Sequence, residues 1–398
     1  MNRRLFQAMA AAAFGAAVAA APAQAEPLKI GALMPMTGDL QAYGEADITG
    51  VEFAIKQINA AGGVNGENVE MVLADSQTKP QAGVDAAQKL INVDGVSAIV
   101  GALSSGVTIP VAKSVTSREG VPQISNASTS PTITGLEDND FLFRSVPSDA
   151  YQGVELAKLV TEKGLSNVSI MYVNNDYGQG LADAFTDAYD GTVSASIAFE
   201  QGQSSYRGEL QKAAGGGAEA LVLIGYPESG SVILRQSLEG GFLDKFVFTD
   251  GMKAPEIIER IGAQYLEGAF GTVPQSKDTE GLRVFREAYT AEYGEVPPKP
   301  YYDTAYDAAF VLALAAQKAG STEPEAIRDN LRDVANPPGE TVLPGEWEKA
   351  VKLLADGEDI NYEGAAGSVD FDEKGDVPGT IGHWEIQDGE IVDVGILE

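Results

Sequence analysis

The stretch VSAIVGALSSGVT, residues 96–108, runs as an apolar strand that stops on two serines and a glycine. A strand that feeds a helix through small polar residues presents backbone N–H groups and hydroxyls to an anion. Three kinds of anion fit such a turn: a phosphate, a catalytic oxyanion, or the carboxylate of a molecule that is carried rather than converted. On either side the same grammar repeats. LKIGALMPM leads into DITGVEFAIKQINAAGG, where Ile48, Val51, Ile55 and Ile58 share one helical face and Gly62-Gly63 end the run. VEMVLADS, a helix around residues 82–91, the opening strand, a helix around 108–118 and VPQISNAS complete a first series. A second starts near residue 150, with strands NVSIMYVNN, TVSASIAFE, ALVLIGY and KFVFTD separated by helical runs. Apolar strands alternating with helices imply parallel sheets covered on both faces.

Two series predict two doubly wound α/β lobes. FRSVPSDAYQG and FGTVPQSKDT are alike, each an extended segment through Val-Pro, and read as crossings between the lobes. Helices over 281–293, 302–318 and 324–335 are expected to return to the first lobe, and GTIGHWEIQDGEIVDVGI to cross again through an Asp388-Gly389 hairpin. The expected organisation is an N-terminal lobe of residues 26–145 plus 275–376 and a C-terminal lobe of 146–274 plus 377–398. Three strands near 144–147, 272–275 and 377–381 form the hinge between them. Such a hinge gives a clamp that closes on a ligand.

Composition narrows the chemistry. The opening MNRRLFQAMAAAAFGAAVAAAPAQAEP has Arg3 and Arg4 before an alanine-rich run and Ala23-Gln24-Ala25 at its end, the pattern of a cleavable export signal over residues 1–25. The run is too short and alanine-rich to span a membrane comfortably, and no cysteine stands there to carry a lipid anchor. The chain has no cysteine at all, which excludes disulfides, zinc–thiolate centres and thiol nucleophiles. Without the two leader arginines, 25 basic residues face 58 acidic ones, a net charge of −33. Such a surface repels nucleic acid and anionic lipid.

In open parallel sheets, ligands bind beyond the carboxyl ends of the strands. In the first lobe those ends carry Ser104-Ser105 and residues 126–130, NASTS, which are hydroxyls and backbone N–H groups without charge. In the second they carry Tyr177, Tyr226 and Asp250. One wall suits a carboxylate, and the other suits a cation with apolar surface beside it. An α-amino acid is the simplest zwitterion that matches both. Taken singly, each serine is more often a helix cap and Asp250-Gly251 more often a turn.

The sequence from residue 28 onward, LKIGALMPMTGDLQAYGEADITGVEFAIKQINAAGGVNG, resembles the periplasmic leucine/isoleucine/valine-binding proteins, the receptors of amino-acid ABC importers. TKPQAG, GALSSGVTIPVA, ISNASTSPTIT, NNDYGQGLADAF, GYPESGSVILRQS and FDEKGD follow in matching order. The resemblance implies the type I periplasmic binding protein fold, and a monomer with no cofactor that hands its cargo to membrane permease and ATPase subunits. It also implies roles for single residues. Ser105 would hold the ligand carboxylate through its hydroxyl and N–H. Thr129 would touch carboxylate and ammonium, and the Ser128 carbonyl would accept from the ammonium. Tyr177 and Tyr226 would close over the ligand, and Asp250 would pair with the ammonium. Tyr43, Leu103 and Ser104 would line the side-chain pocket, with Tyr301 or Tyr302 as a further wall. Ser104, and Asp250 where a longer Glu is usual, depart from the family pattern and leave the preferred side chain open. The segment 336–366 is longer than in the branched-chain receptors.

Other features carry less. His383 is the only histidine, so a Ser-His-Asp device would rest on it alone. DFDEKGD, residues 370–376, has acidic spacing but lacks the closing glutamate of a calcium loop and reads as a turn. AAGGGAE follows a helix, and YGQG lacks the remaining glycine and acid of a dinucleotide site. Three further readings stand beside the amino-acid receptor: a receptor for small amides, urea-like compounds or aromatic acids, a ligand-sensing subunit, and a secreted hydrolase. The strand ends supply no nucleophile–base pair for the last.

Overall fold

The computed structural model describes residues 26–397; the expected export signal, residues 1–25, lies outside them. Strands β1 (Lys29–Met34), β2 (Glu70–Asp75), β3 (Ala98–Gly101), β4 (Gln123–Ser125) and β5 (Leu142–Arg144) form one sheet in the order β2-β1-β3-β4-β5, parallel throughout. The chain then builds β6 (Asn167–Val173), β7 (Thr192–Phe199), β8 (Ala220–Ile224), β9 (Phe246–Phe248) and β10 (Phe270–Pro274), in the order β7-β6-β8-β9-β10. These two strand orders are the same, so the lobes are two copies of one winding rule. Each reverses direction beside its first strand, between β1 and β3 and between β6 and β8.

After β10 the chain returns to the first lobe. Helices Glu280–Tyr293, Tyr302–Ala319 and Pro324–Ala335 pack there. Phe53 of helix Gln41–Ala60 meets Phe285 and Tyr289 edge-on, at 6.0 and 5.5 Å between ring centres. Helix Tyr302–Ala319 runs almost wholly buried between that helix and the sheet, which is why its face is alanine-rich. Gly50 is the point of closest approach: a Cβ there would lie 2.0 Å from the Tyr302 carbonyl oxygen.

The long segment 336–366 is a small structure of its own. Strand β11 (Glu340–Val342) pairs in parallel with β12 (Ile360–Gly364), which turns into β13 (Gly367–Ser368), with helix Trp347–Asp356 between the first two. Trp347 is buried and donates its indole N–H to the Gly63 carbonyl at 3.1 Å. Asp307, on the buried helix, accepts from the Tyr362 hydroxyl and from the Ala365 and Ala366 amides at 2.7, 2.7 and 2.8 Å. Burial pushes this carboxyl up to about 7 against those bonds.

The chain finally crosses back into β14 (Ile381–Gln387), antiparallel to β10, and β15 (Glu390–Ile396) closes the second sheet by a hairpin at Asp388-Gly389. The acidic turn before it has a definite task. Asp376 accepts from Arg144 Nε and Nη2, both at 2.7 Å. The fully buried guanidinium also donates to Thr134 Oγ1 at 2.8 Å and to the Ser130 carbonyl at 3.0 Å. This pair fixes the 126–130 loop to the end of β5.

Candidate functional site

The two sheets face each other with their switch points toward a shared cleft. Tyr43 follows β1 and Ser104-Ser105 follow β3; opposite them, Tyr177 follows β6, Tyr226 follows β8 and Asp250 follows β9. Tyr43, Leu103, Ser104 and Ser105 from the first lobe and Tyr177, Tyr226 and Asp250 from the second line one cavity. The lobes are closed: the cavity is about 20 Å³, so a solute of several atoms enters only when they part.

The helix after β3 begins at Ser105, earlier than the apolar spacing predicts, because Ser104 takes the extended N-cap position. Its hydroxyl makes no capping bond and lies 3.0 Å from the Tyr226 hydroxyl across the cleft. Ser105 Oγ accepts from the Ser130 amide at 3.2 Å. Gly106 brings the lobes together, since a Cβ there would lie 2.8 Å from Asn175 Cβ. Further contacts across the cleft run from Ser130 Oγ to the Asp176 carbonyl, 2.9 Å, and from Gln41 Nε2 to Glu228, 2.9 Å.

The second-lobe wall of the cavity centres on Asp250. Its Oδ1 accepts from the Tyr177 hydroxyl at 2.7 Å and from Gln152 Nε2 at 3.0 Å, and its Oδ2 from the Tyr301 hydroxyl at 2.7 Å. Tyr177 and Tyr226 stack at 5.6 Å. All three donors to the carboxylate are neutral. Burial raises the Asp250 carboxyl, and the three hydrogen bonds offset part of that. A second carboxylate stands close. Asp149 is fully buried, accepts from Thr129 Oγ1 at 2.8 Å through Oδ2, and has no partner on Oδ1. Burial first, then the Asp250 charge, hold its carboxyl well above the usual range. Arg144, which favours its charged form, is already engaged by Asp376. Neither buried acid has a cation of its own: the donors to Asp250 are neutral, and Arg144 is taken up by Asp376.

Ser128 and Thr129 are placed differently from the cavity-lining set. The Ser128 hydroxyl turns inward, to Thr108 Oγ1 at 2.8 Å and to the Leu103 carbonyl at 2.9 Å, while its neighbour Ala127 lines the cavity. The Thr129 side chain points to Asp149. Of the two tyrosines offered as a further wall, Tyr301 reaches the site, whereas Tyr302 packs against Phe285 and Tyr289. Leu40, Ala127 and Gly251 complete the lining, and Asp149 and Gln152 stand beside Asp250. Ala127 and Gly251 fall within strand ends that the sequence names, whereas Leu40, Asp149 and Gln152 do not. Leu40 is apolar and matches every core position in the chain. Asp149 and Gln152 sit in the helix after the first crossing, where only the fold turns them toward Asp250.

A family model for periplasmic binding proteins matches residues 27–347. The chemotactic signal transduction system substrate-binding protein BasB of Halobacterium salinarum is 28% identical over 87% of this chain and 84% of its own. The leucine-, isoleucine-, valine-, threonine- and alanine-binding protein of Pseudomonas aeruginosa is 29% identical over 94% and 92%. Among solved structures, the branched-chain amino acid transporter substrate-binding protein LivJ of Streptococcus pneumoniae, in complex with isoleucine, superposes with a TM-score of 0.77. It is 26% identical over 94% of this chain and 99% of that one.

Proposed function

The chain belongs to the periplasmic binding protein family, a family of solute-binding proteins and not of enzymes, and from that premise we propose that it is an extracytoplasmic receptor for an α-amino acid. The observation that supports this reading best is Asp250, which lines the cleft opposite the uncharged Ser104 and Ser105 hydroxyls, with a second buried acid, Asp149, close enough to feel its charge. An ammonium supplies the charge that Asp250 lacks, and a carboxylate is received by the Ser105 hydroxyl and the amides at the start of its helix. Thr129 acts through Asp149, holding it toward the ammonium. Tyr177 and Tyr226 close over the ligand, and Leu40, Leu103 and Ala127 with the Tyr43 ring give walls that suit an apolar or hydroxylated side chain once the lobes part to admit it. Branched-chain amino acids, threonine and alanine fit that description, and the ligands named for the Pseudomonas and Streptococcus relatives support it. The loaded receptor would deliver its ligand, after export by the residue 1–25 signal, to a permease and ATPase in the membrane. Among the described residues no helix is long and apolar enough to cross a membrane.

The test is a thermal-shift and calorimetry screen of residues 26–398 against amino acids, small amides and aromatic acids. Ligand at 100 times its dissociation constant adds about 2.7 kcal/mol of stability. Response to amides or aromatic acids alone would replace the amino-acid reading. The BasB relative supports a second reading, in which the same loaded form signals to a membrane receptor. A pull-down with loaded protein against permease subunits and against chemoreceptors separates the two.

A further inference from the structure

A second cavity, about 670 Å³, lies at the hinge, and its walls come from all three crossings. Val146-Pro147, Pro274-Gln275 and Pro378-Gly379 form its floor. The proline-rich segment Val296, Pro297, Pro298 and Pro300 of the first lobe forms one side, and Ile391 and Asp393 of β15 form the other. This volume is in the range of small-molecule sites, and the floor is mostly apolar.

Its rim is basic, in a chain whose exported part carries −33. Lys253, Lys277, Arg286 and Lys299 all line it. Lys253 is paired with Asp393 at 2.5 Å, and Lys299 with Glu256. Lys277 and Arg286 make no ion pair among the described residues, and Asp303 is the one acid on the wall that carries no ion pair. Arg286 faces the Asp303 carboxyl and the Tyr302 hydroxyl on the same wall, so Lys277 is left as the cation in excess. One surplus positive charge over an apolar floor fits an anion with an apolar body.

The cavity also touches the cleft. Tyr301 lines both, with its hydroxyl on Asp250 and its backbone in the left-handed region at φ 83°. Lys299 donates to the Ala42 carbonyl of the first lobe at 2.6 Å while it pairs with Glu256 of the second. Because the three crossings are its floor, the cavity changes shape whenever the lobes open.

We propose that the hinge cavity is a second binding site, for a small amphiphilic carboxylate, and that its occupancy is coupled to closure of the cleft. The head of the ligand sits between Arg286 and Lys277, and its body lies on the hinge prolines. The binding stands on the cavity alone; the coupling rests on the cleft being the solute site. Linkage requires the coupling to be reciprocal.

The experiment is calorimetry on residues 26–398 with 4-phenylbutyrate, with inorganic phosphate and the uncharged 4-phenylbutyramide as controls. Wild type is expected to bind 4-phenylbutyrate and neither control. The double variant Lys277→Ala, Arg286→Ala, both at exposed positions, is expected to bind it at least tenfold more weakly, while the cleft variant Ser105→Ala binds it as wild type does. Saturating 4-phenylbutyrate is expected to change leucine affinity at least threefold, and leucine to change 4-phenylbutyrate affinity by the same factor. Absence of binding, equal binding of either control, binding that survives the double variant, or binding lost in Ser105→Ala overturns the site. An unchanged leucine affinity overturns the coupling. If leucine itself does not bind, the amino-acid reading of the cleft fails, while the first two comparisons still decide the hinge site.

Discussion

The Tyr43 hydroxyl, on a helix of the first lobe, donates to the main-chain carbonyls of Asp250 and Gly251 in the second, at 3.3 and 3.1 Å. The residue proposed to hold the ammonium is thus also a point at which the lobes are fastened. Tyr43→Phe removes that fastening and leaves the ring in place. A lost hydrogen bond of this kind is worth about 1 kcal/mol, so ligand affinity is expected to fall roughly fivefold. Small-angle scattering should show a larger radius of gyration for the free variant. Unchanged affinity and an unchanged radius would mean that the bond does not contribute to closure.

Asp250→Asn keeps the shape of the site and removes its charge. Truncating one side of a buried charged pair costs about 2–5 kcal/mol, so amino-acid affinity should fall by roughly 30- to 4,000-fold. Ser105→Ala should cost less, about 1.5–3 kcal/mol, because its backbone N–H remains. Calorimetry on both variants reads the difference. Wild-type affinity in Asp250→Asn would rule out an ammonium partner there.

Burial raises the Asp250 carboxyl in the closed, unliganded form, and an ammonium beside it stabilises the carboxylate. Binding therefore releases a proton at mildly acidic pH, and affinity falls as the pH drops toward the raised value. Calorimetry over a series of acidic pH values, in two buffers of different ionisation enthalpy, should show net proton release and an affinity that falls as the pH is lowered. Buffer-independent heats with flat affinity would show that Asp250 is already fully ionised without ligand.

Asp307 gives a pH dependence of the fold itself. Its carboxyl stands at about 7 in the folded chain against 3.8 as the ordinary value, so folding takes up a proton between those limits. The associated stability is present in full below about pH 3.8 and lost as the pH rises through 7, about 4 kcal/mol in all. Asp307→Asn cannot titrate, so the change in urea midpoint between pH 5 and pH 8 should be smaller than in wild type. An identical pH slope would mean that the three donors keep Asp307 ionised throughout.

Asp376→Ala leaves the Arg144 guanidinium buried without its bidentate partner. Breaking one side of such a pair costs about 3–5 kcal/mol. Because Arg144 also holds the Ser130 carbonyl, ligand affinity should weaken together with the denaturation midpoint. A destabilised variant with intact affinity would separate the pair from the site.

Much of this architecture is legible in the residues. Parallel strands announce themselves as apolar runs such as ALVLI, and the Val-Pro segments mark where β5 and β10 lead out of their sheets. The strand ends carry Ser104, Ser105, Tyr177, Tyr226 and Asp250 because polar residues break the apolar pattern there. Side-chain direction is harder to read. Ser128 and Ala127 are adjacent, and only the turn after β4 decides which faces the cavity. Asp149 looks like any acid in the first turn of a helix, where it favours the dipole, and its closeness to Asp250 comes from packing between elements about 100 residues apart. Segment 336–366 stands out in the sequence only by its length, and its own small sheet, β11-β12-β13, is visible only in the structure.

Gly106 acts as a door jamb. The distance between the first helix turn of one lobe and Asn175 of the other is set by the absence of a single carbon. A jamb defines where a door stops, whatever pushes it. One methyl group, as in Gly106→Ala, would hold the door ajar with every ligand-facing side chain intact. The result would be a receptor that still recognises its cargo but lets it go early, and dissociation rate rather than specificity would be the trait that evolution or an engineer tunes at this position.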